Sequence, residues 1–436
     1  VTETRRLVRY QISTVALLFL GYAGYYFCRS DLSVAIPLII DELGKRGMDA
    51  KAATVSMGSL VSFGVLAYAA GKLTLAGVAD FLGGKRNFLG GMIGSIVFTV
   101  LFTTTGALPI FTLAWIGNRY LQAAGWAGLV KVSSRWFSYS SYGAVMGVMS
   151  LSYLVGDAAA RQLMGLMILH GAGWRELFWF AAGVLFVLLV ANWLFLRESR
   201  TGLGLPEPEV NPLNLFRADR NEEKPRSVAA LLGTLLRSPL FLLVCVLSLG
   251  CTLVRETFNT WTPTYFHQFV GFNEARSAST SALFPAIGAV SVLLAGWLSD
   301  RLGERGRSVL MSVGLLGSSI ALFALTMTPG GGSGAIAVVL VSVVAMGLLG
   351  PYSYLGGAMA MDFGGKQGGA ASSGLIDGIG YLGGALAGDS MARIATAFGW
   401  QKAFLTLGVV CLLSSASAGV LFFAQKRPVR LYEPRA

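Results

Sequence analysis

Two arginines lie inside apolar runs long enough to cross a bilayer, and a buried guanidinium is suited to holding an anion. Arg29 falls within the stretch Tyr22–Pro37, and Arg255 within Cys251–Pro263. An arginine at the centre of a membrane helix costs about 2.5–3.5 kcal/mol on insertion scales, a cost tolerated where the charge faces a cavity and binds something. Arg29 precedes Pro37 and Arg255 precedes Pro263 by the same interval, and the two pairs are offset by 226 positions. The offset predicts that the arginines occupy equivalent helices of two related halves and face each other at a pseudo-symmetry axis. Five donors in a planar fork that stays charged suit bidentate binding of phosphate. The bland alternative is neutralisation by a nearby acid such as Asp31 or Glu256.

The composition demands a membrane for these residues. Of 436 residues, 54% are hydrophobic and 13% charged, and the mean hydropathy is +0.64. Soluble domains carry about 25% charged residues. The net charge of +12 does not point to nucleic acid, because the basic residues sit in short clusters between apolar runs and follow membrane topology. Cys28, Cys245, Cys251 and Cys411 all fall in apolar segments without ligand spacing, and read as small core residues. His170 and His267 read as interfacial polar residues, so no metal site and no cofactor is expected. The first apolar run follows Arg5, Arg6 and Arg9 and is too long for a signal-peptide core, so it is expected to remain as a helix.

Runs of about 20 apolar residues number twelve: 11–40, 53–78, 87–105, 109–135, 142–169 and 175–197, then 239–268, 276–299, 307–327, 334–361, 368–396 and 400–424. An all-α membrane protein follows, with a six-helix half over 1–197, a polar linker over 198–238 and a second half over 239–436. Basic residues gather in alternate loops, at Lys85, Arg86, Arg135, Arg301, Arg305, Arg307 and Lys366, and in both tails, which places both termini in the cytoplasm. Gly173-Trp174 and Gly399-Trp400 repeat at the same offset of 226. The loops Asp80, Gly83, Lys85, Arg86 and Asp300, Gly303, Arg305 share an Asp-x-x-Gly turn with basic residues. There the carboxylate caps or pairs with helix ends and the glycine permits the turn.

Twelve helices in two halves, with this loop in both, resemble the major facilitator superfamily over essentially the whole chain. Tyr22 through Pro37, Arg255 with Trp261 and Pro263, and Gly374 through Gly384 resemble the organophosphate:phosphate antiporters, which include bacterial glycerol-3-phosphate and hexose-phosphate transporters. The resemblance implies that Arg29 and Arg255 bind phosphate, and that the protein is a monomeric inner-membrane exchanger of a phosphorylated metabolite for inorganic phosphate. It also implies a lysine near the substrate path, here Lys72, whose alternative is snorkelling to the helix end; Val292 occupies the matching place in the repeat.

Other candidates cluster on the same helices. Tyr22 and Tyr26 share the face of Arg29, either binding oxygens or packing. Gln122, Trp126 and Lys131 match the family's Gln-x-x-Gly-Trp stretch, with Lys131 also readable as a topological anchor. Where the glycerol-3-phosphate transporters carry a histidine, this chain has Tyr153, which puts that substrate in doubt. Asp157 and Arg161 are spaced to pair on one helical face or to set pocket polarity. Trp261 and Tyr381 join the expected pocket lining, and Asp389 and Arg393 form another pair. Asp377 either couples protons or balances Lys72 or an arginine. Glycines such as Gly64, Gly71, Gly374 and Gly378 are read as helix interfaces that slide during alternating access. The acids at Asp31, Asp157, Asp377 and Asp389 keep open a proton-coupled symporter of organic anions, and a sugar-phosphate sensor is a third reading; no catalytic motif suggests an enzyme.

Overall fold

The computed structural model describes residues 2–104, 106–206, 233, 235–302, 306–331 and 334–424. The linker from 207 to 232, Gly303, Arg305, the side chains of Asp80, Asp300 and Lys366, and the tail from 425 lie outside the described residues. Every regular element among the described residues is helical. The first six helices are α1 (Thr2–Lys45), α2 (Ala50–Leu82), α3 (Gly84–Thr103), α4 (Leu108–Trp136), α5 (Tyr139–Leu169) and α6 (Trp174–Phe195). The second set comprises α7 (Pro239–Tyr265), α8 (Glu274–Ser281), α9 (Leu283–Leu302), α10 (Gly306–Leu325), α11 (Ala335–Tyr354), α12 (Ala360–Leu386), α13 (Asp389–Phe398) and α14 (Trp400–Ala424).

Nine helical stretches among the described residues are long and apolar enough to cross a membrane. Reaching the expected twelve requires α4, α5 and α12, which lie outside that set and carry Arg119 and Gln122, Asp157 and Arg161, and Asp377. Arg119, Gln122, Asp157 and Arg161 are buried, so composition alone understates the helices that surround the site. Two expected single helices are broken. The stretch expected over 276–299 divides at Ala282 into α8 and α9, and the one over 368–396 divides at Ala387 and Gly388 into α12 and α13. The range of α12 is not one straight helix either: Ser373 Oγ donates to Gly356 O at 2.6 Å, a contact impossible across 17 residues of straight helix.

Within the first set, α1 packs on α5 and α6, and α4 packs on α2 and α3. Within the second, α7 packs on α12 and α14, and α11 on α9 and α10. The two sets meet through α1 on α7, α2 on α12 and α13, and α5 on α8 and α9. Ser33 Oγ donates to the Asn259 carbonyl at 2.8 Å, and these residues are separated by 226 positions, the offset of the arginines. Equivalent positions of the two halves therefore touch each other, as a two-fold axis requires.

The loop after α2 carries a contact that the sequence reading did not include. Gly83 has φ +92°, open to glycine but strained for other residues. The carboxylate that caps α3 is that of Glu198, which accepts from the Gly84 N–H at 2.8 Å and the Lys85 N–H at 2.7 Å. Arg135 Nη1 joins the same carboxylate at 2.8 Å, while Lys85 Nζ donates to the Trp193 and Leu196 carbonyls at the end of α6. Glu198 was expected to open the linker; instead it holds three helix ends together. Arg86 is exposed.

Close helix contact depends on glycine where α5 crosses α1. A Cβ on Gly156 would lie 2.4 Å from the Ala23 carbonyl oxygen and 2.7 Å from the Ala23 Cα. Backbone cannot yield as a flexible side chain does, so Gly156→Ala is expected to lower stability by about 1–3 kcal/mol. Thermal unfolding of the detergent-solubilised protein reads this, and an unchanged midpoint would mean that α1 and α5 separate freely.

Candidate functional site

The site begins with a break in α1. Cys28 leaves helical geometry (φ −81°, ψ 17°) immediately before Arg29. Side chains reach both ends of the bond that an unbroken helix would make from the Leu32 N–H to the Cys28 carbonyl. Gln122 Nε2 donates to Cys28 O at 2.7 Å, and Asp31 Oδ1 accepts from Leu32 N at 2.7 Å. A side chain inserted into the helical ladder is a recognised cause of such kinks. Gln122 thus supports the turn that presents Arg29, rather than lining the space beyond it.

Arg29 and Arg255 converge on one carboxylate oxygen. Arg255 Nη1 lies 3.0 Å from Glu256 Oε1, and Arg29 Nη2 lies 3.7 Å from the same atom. Glu256 therefore supplies one negative charge to two guanidiniums, and Arg29 Nη2 has no hydrogen-bond partner although it is buried. The aromatic residues supply the remaining electrostatic contact. The Arg29 guanidinium carbon sits 5.1 Å from the Tyr26 ring centre and 4.8 Å from that of Tyr68. That of Arg255 sits 4.6 Å from Tyr352 and 5.7 Å from Tyr153, and Arg255 Nη1 donates to the Tyr352 hydroxyl at 3.2 Å. Each ring face is the negative side of an aromatic quadrupole.

Two spaces lie among the surrounding helices; Arg29 lines the smaller, and neither arginine lines the larger. On the side of the α4 and α2 C-terminal halves lies a chamber of about 520 Å³, lined by Lys72, Trp126, Lys131, Asp377 and Tyr381 among others. Lys72 Nζ lies 3.2 Å from Asp377 Oδ2 and 5.0 Å from the Tyr381 ring centre. Lys72 and Asp377 thus balance each other across the two halves. Tyr22 packs beneath Trp126 with ring centres 5.3 Å apart, and Tyr153 packs on Tyr26 at 5.6 Å. On the other side lies a cavity of about 40 Å³ lined by Arg29, Ser30, Ser33, Arg119, Asp157, Arg161 and Asn259, with others.

Beyond the small cavity the two halves are sealed together. Arg161 pairs with Asp157 at 2.6 Å, and crosses to the second half at Asn259 O (2.6 Å) and Ser281 Oγ (3.2 Å). Asp157 also accepts from Ser30 at 2.6 Å. Ser59 donates to Asp389 at 2.6 Å, Ser62 to Ala385 O at 2.5 Å, and Asp389 N to Ser62 Oγ at 2.8 Å. Asp389 pairs with Arg393 at 2.7 Å. Gly58 and Gly388 meet with room for no side chain between them: a Cβ on Gly388 would stand 2.3 Å from the Gly58 carbonyl oxygen.

Trp261 stands apart from both spaces. Its indole is buried and donates to the Ala387 carbonyl at 2.8 Å, tying α7 to the break between α12 and α13. Sequence reasoning omitted Arg119, Tyr68, Tyr352 and Asn259, and assigned Glu256 only a neutralising role. Arg119 offered no repeat signal, since Ala345 stands at the equivalent offset. His267 has two acidic neighbours that the sequence reading did not join to it. Asp41, His267 and Glu274 place one donor atom each within 4.8 Å of one another.

A model of the major facilitator superfamily matches residues 18–388. The chain belongs to the major facilitator superfamily. The fold agrees. A bacterial homologue of the human lysosomal transporter Spinster, in an inward-facing and unoccupied conformation, superposes with a TM-score of 0.77 at 16% identity, covering 98% of this chain and 99% of that one. A transporter of the POT family superposes with a TM-score of 0.73 at 14% identity, covering 94% and 96%. Among relatives by sequence, the glycerol-3-phosphate transporter of Bacillus subtilis (strain 168) is 25% identical, covering 94% of this chain and 92% of its own. A probable hexose phosphate transport protein of Chlamydia muridarum is 28% identical, covering 93% and 88%. The membrane sensor protein UhpC of Escherichia coli (strain K12) is 23% identical, covering 91% and 89%. These relatives fall in the organophosphate:phosphate antiporter family, in line with the resemblance of the first, seventh and eleventh expected helices. The protein is a multi-pass membrane transporter and not an enzyme.

The buried pair of Asp157 and Arg161 gives a test of this geometry. Removing one partner leaves an uncompensated charge, a loss of about 3–5 kcal/mol. Asp157→Asn is expected to lower the thermal midpoint sharply, and Asp157→Asn combined with Arg161→Gln to recover part of it. Equal losses in the single and double variants would mean that the pair is not the relevant interaction.

Proposed function

We propose that this protein is a secondary transporter that exchanges a phosphorylated metabolite for inorganic phosphate by alternating access. The observation that carries the reading is the convergence of Arg29 and Arg255 on the single oxygen of Glu256, with Arg29 Nη2 left without a hydrogen bond. A phosphate entering between them would complete the guanidinium contacts that one carboxylate leaves unmet. The names of the relatives support the substrate class, since they include glycerol-3-phosphate and hexose phosphate transporters.

In this reading the halves over 1–197 and 239–436 rock about the arginines while the linker over 198–238 joins them. The chamber of about 520 Å³ is the open side, and the serine and glycine contacts on the other side are the closed gate. Basic loops on the side of the termini place the chamber towards the cytoplasm of a bacterial inner membrane. Substrate would pass Lys72, Trp126 and Tyr381 before reaching Tyr26, Arg29, Tyr153 and Arg255. The protein acts as a monomer and needs no cofactor. Coupling to protons through Asp377 is disfavoured by its pairing with Lys72. A sensor role is the second reading, on the strength of the match to UhpC.

Uptake of labelled phosphate into proteoliposomes preloaded with phosphate tests the proposal. Hydrogen bonds to charged groups contribute about 1.5–3 kcal/mol each, so Arg29→Ala and Arg255→Ala are each expected to lower exchange at limiting phosphate by about tenfold or more. Uptake that ignores internal phosphate and follows an imposed proton gradient would replace the exchanger with a symporter. Binding without any flux would favour the sensor.

A further inference from the structure

Arg119 is a buried cation that the two-arginine site does not use. It is 2% exposed, as is Arg161, yet their surroundings differ. Arg161 is held by Asp157, Asn259 O, Ser281 and Ser33. Arg119 has one hydrogen bond, from Nη1 to Gln122 Oε1 at 3.3 Å, and no carboxylate in ion-pair contact among the described residues. A guanidinium carries five donors, so most of its capacity is unspent. Its guanidinium carbon sits 4.7 Å from the Tyr68 ring centre, and that of Arg29 sits 4.8 Å from the same centre. The two charges are therefore near neighbours around one ring, and both line the small cavity. Like charges this close are stabilised by an anion between them.

We infer that Arg119 forms a second anion subsite beside Arg29, and that the transported phosphate ester carries a carboxylate which this subsite holds. The inference rests on the proposed exchange function. Size decides the group: a cavity of about 40 Å³ has room for about three or four waters at roughly 10–15 Å³ each, which suits a carboxylate and is too small for a sugar ring. The Arg29 Nη2 with no partner supplies a further donor beside it, while the Ser30 and Ser33 hydroxyls are engaged on Asp157 and on the Asn259 and Thr260 carbonyls. Asp157 also lines the cavity, but its charge is spent on Arg161 and on the Ser30 hydroxyl. Lys72 is not the second cation, since Asp377 engages it at 3.2 Å.

The test compares 3-phosphoglycerate with glycerol-3-phosphate as competitors of labelled phosphate in proteoliposomes, because the two differ by a carboxylate in place of a hydroxymethyl group. In the wild-type protein 3-phosphoglycerate is expected to compete at about tenfold lower concentration or better, the scale of a charge-assisted hydrogen bond. In Arg119→Gln the ratio of the two inhibitory concentrations falls towards unity, and Arg119→Lys retains part of it. Equal competition in the wild type, or a ratio unchanged in Arg119→Gln, overturns the inference, since a purely structural arginine would weaken both competitors alike. If Arg119→Gln does not assemble, the wild-type ratio and that of Arg119→Lys decide the matter. If the wild type exchanges no phosphate at all, the exchange reading fails separately. Thermal stabilisation of the detergent-solubilised protein by each compound then reads the subsite, with greater stabilisation by 3-phosphoglycerate expected and equal stabilisation overturning it.

Discussion

Holding guanidinium charge in the interior of a membrane-spanning bundle is the constraint on which the rest of this structure depends. Ion pairing alone does not meet it, because Arg29 and Arg255 share one oxygen of Glu256 and Arg119 has no acid in contact. Tyrosine rings take up much of the task. Tyr68 faces Arg29, Lys72 and Arg119, while Tyr26, Tyr153 and Tyr352 flank the two central arginines. A ring face attracts a cation without neutralising it, so the cage tolerates positive charge and leaves it available to a ligand. An acid at each of these positions would have stabilised the empty protein and obstructed an anion.

The backbone is shaped to the same end. Arg29 follows a break at Cys28 that is held open from two directions, by Gln122 on the carbonyl and by Asp31 on the Leu32 N–H. Asp31 is fully buried, and its second oxygen has no partner. Its place in the structure is at the kink, where its first oxygen accepts from the Leu32 N–H. Asp157, Asp377 and Asp389 likewise find partners in Arg161, Lys72 and Arg393. Three of the four acids that a reading of the sequence offered for coupling are thus paired with cations, and Asp31 instead caps the broken helix.

Much of this was legible before any coordinates. Arg29 and Arg255 announced themselves through a shared offset and a shared proline, and the Asp157–Arg161 and Asp389–Arg393 pairs through helical spacing. Contacts within one helix follow from its period. Contacts across the halves do not, which is why the partner of Asp377 stayed open until Lys72 was found 3.2 Å away. Arg119 escaped because it has neither a partner four residues off nor an equivalent in the second half. Trp261 misled for the opposite reason: its place beside Pro263 resembles a pocket residue, while the break at Ala387 provides a carbonyl that draws the indole away. The Glu198 cap was equally hidden, since a carboxylate just past a helix looks like the start of a linker.

The sealed end of the molecule is closed chiefly by small groups. Serine hydroxyls rest on backbone carbonyls at Asn259 and Ala385, and Gly58 lies against Gly388. Each hydroxyl that lets go of a carbonyl can find water instead, and the net loss for a neutral hydrogen bond is only about 0.5–1.5 kcal/mol. A closure of this kind behaves like a zip and not a bolt. In the proposed exchange cycle it would release one tooth at a time, and its serine and glycine teeth carry no charge for salt to screen, unlike those at Arg161 and Asp389.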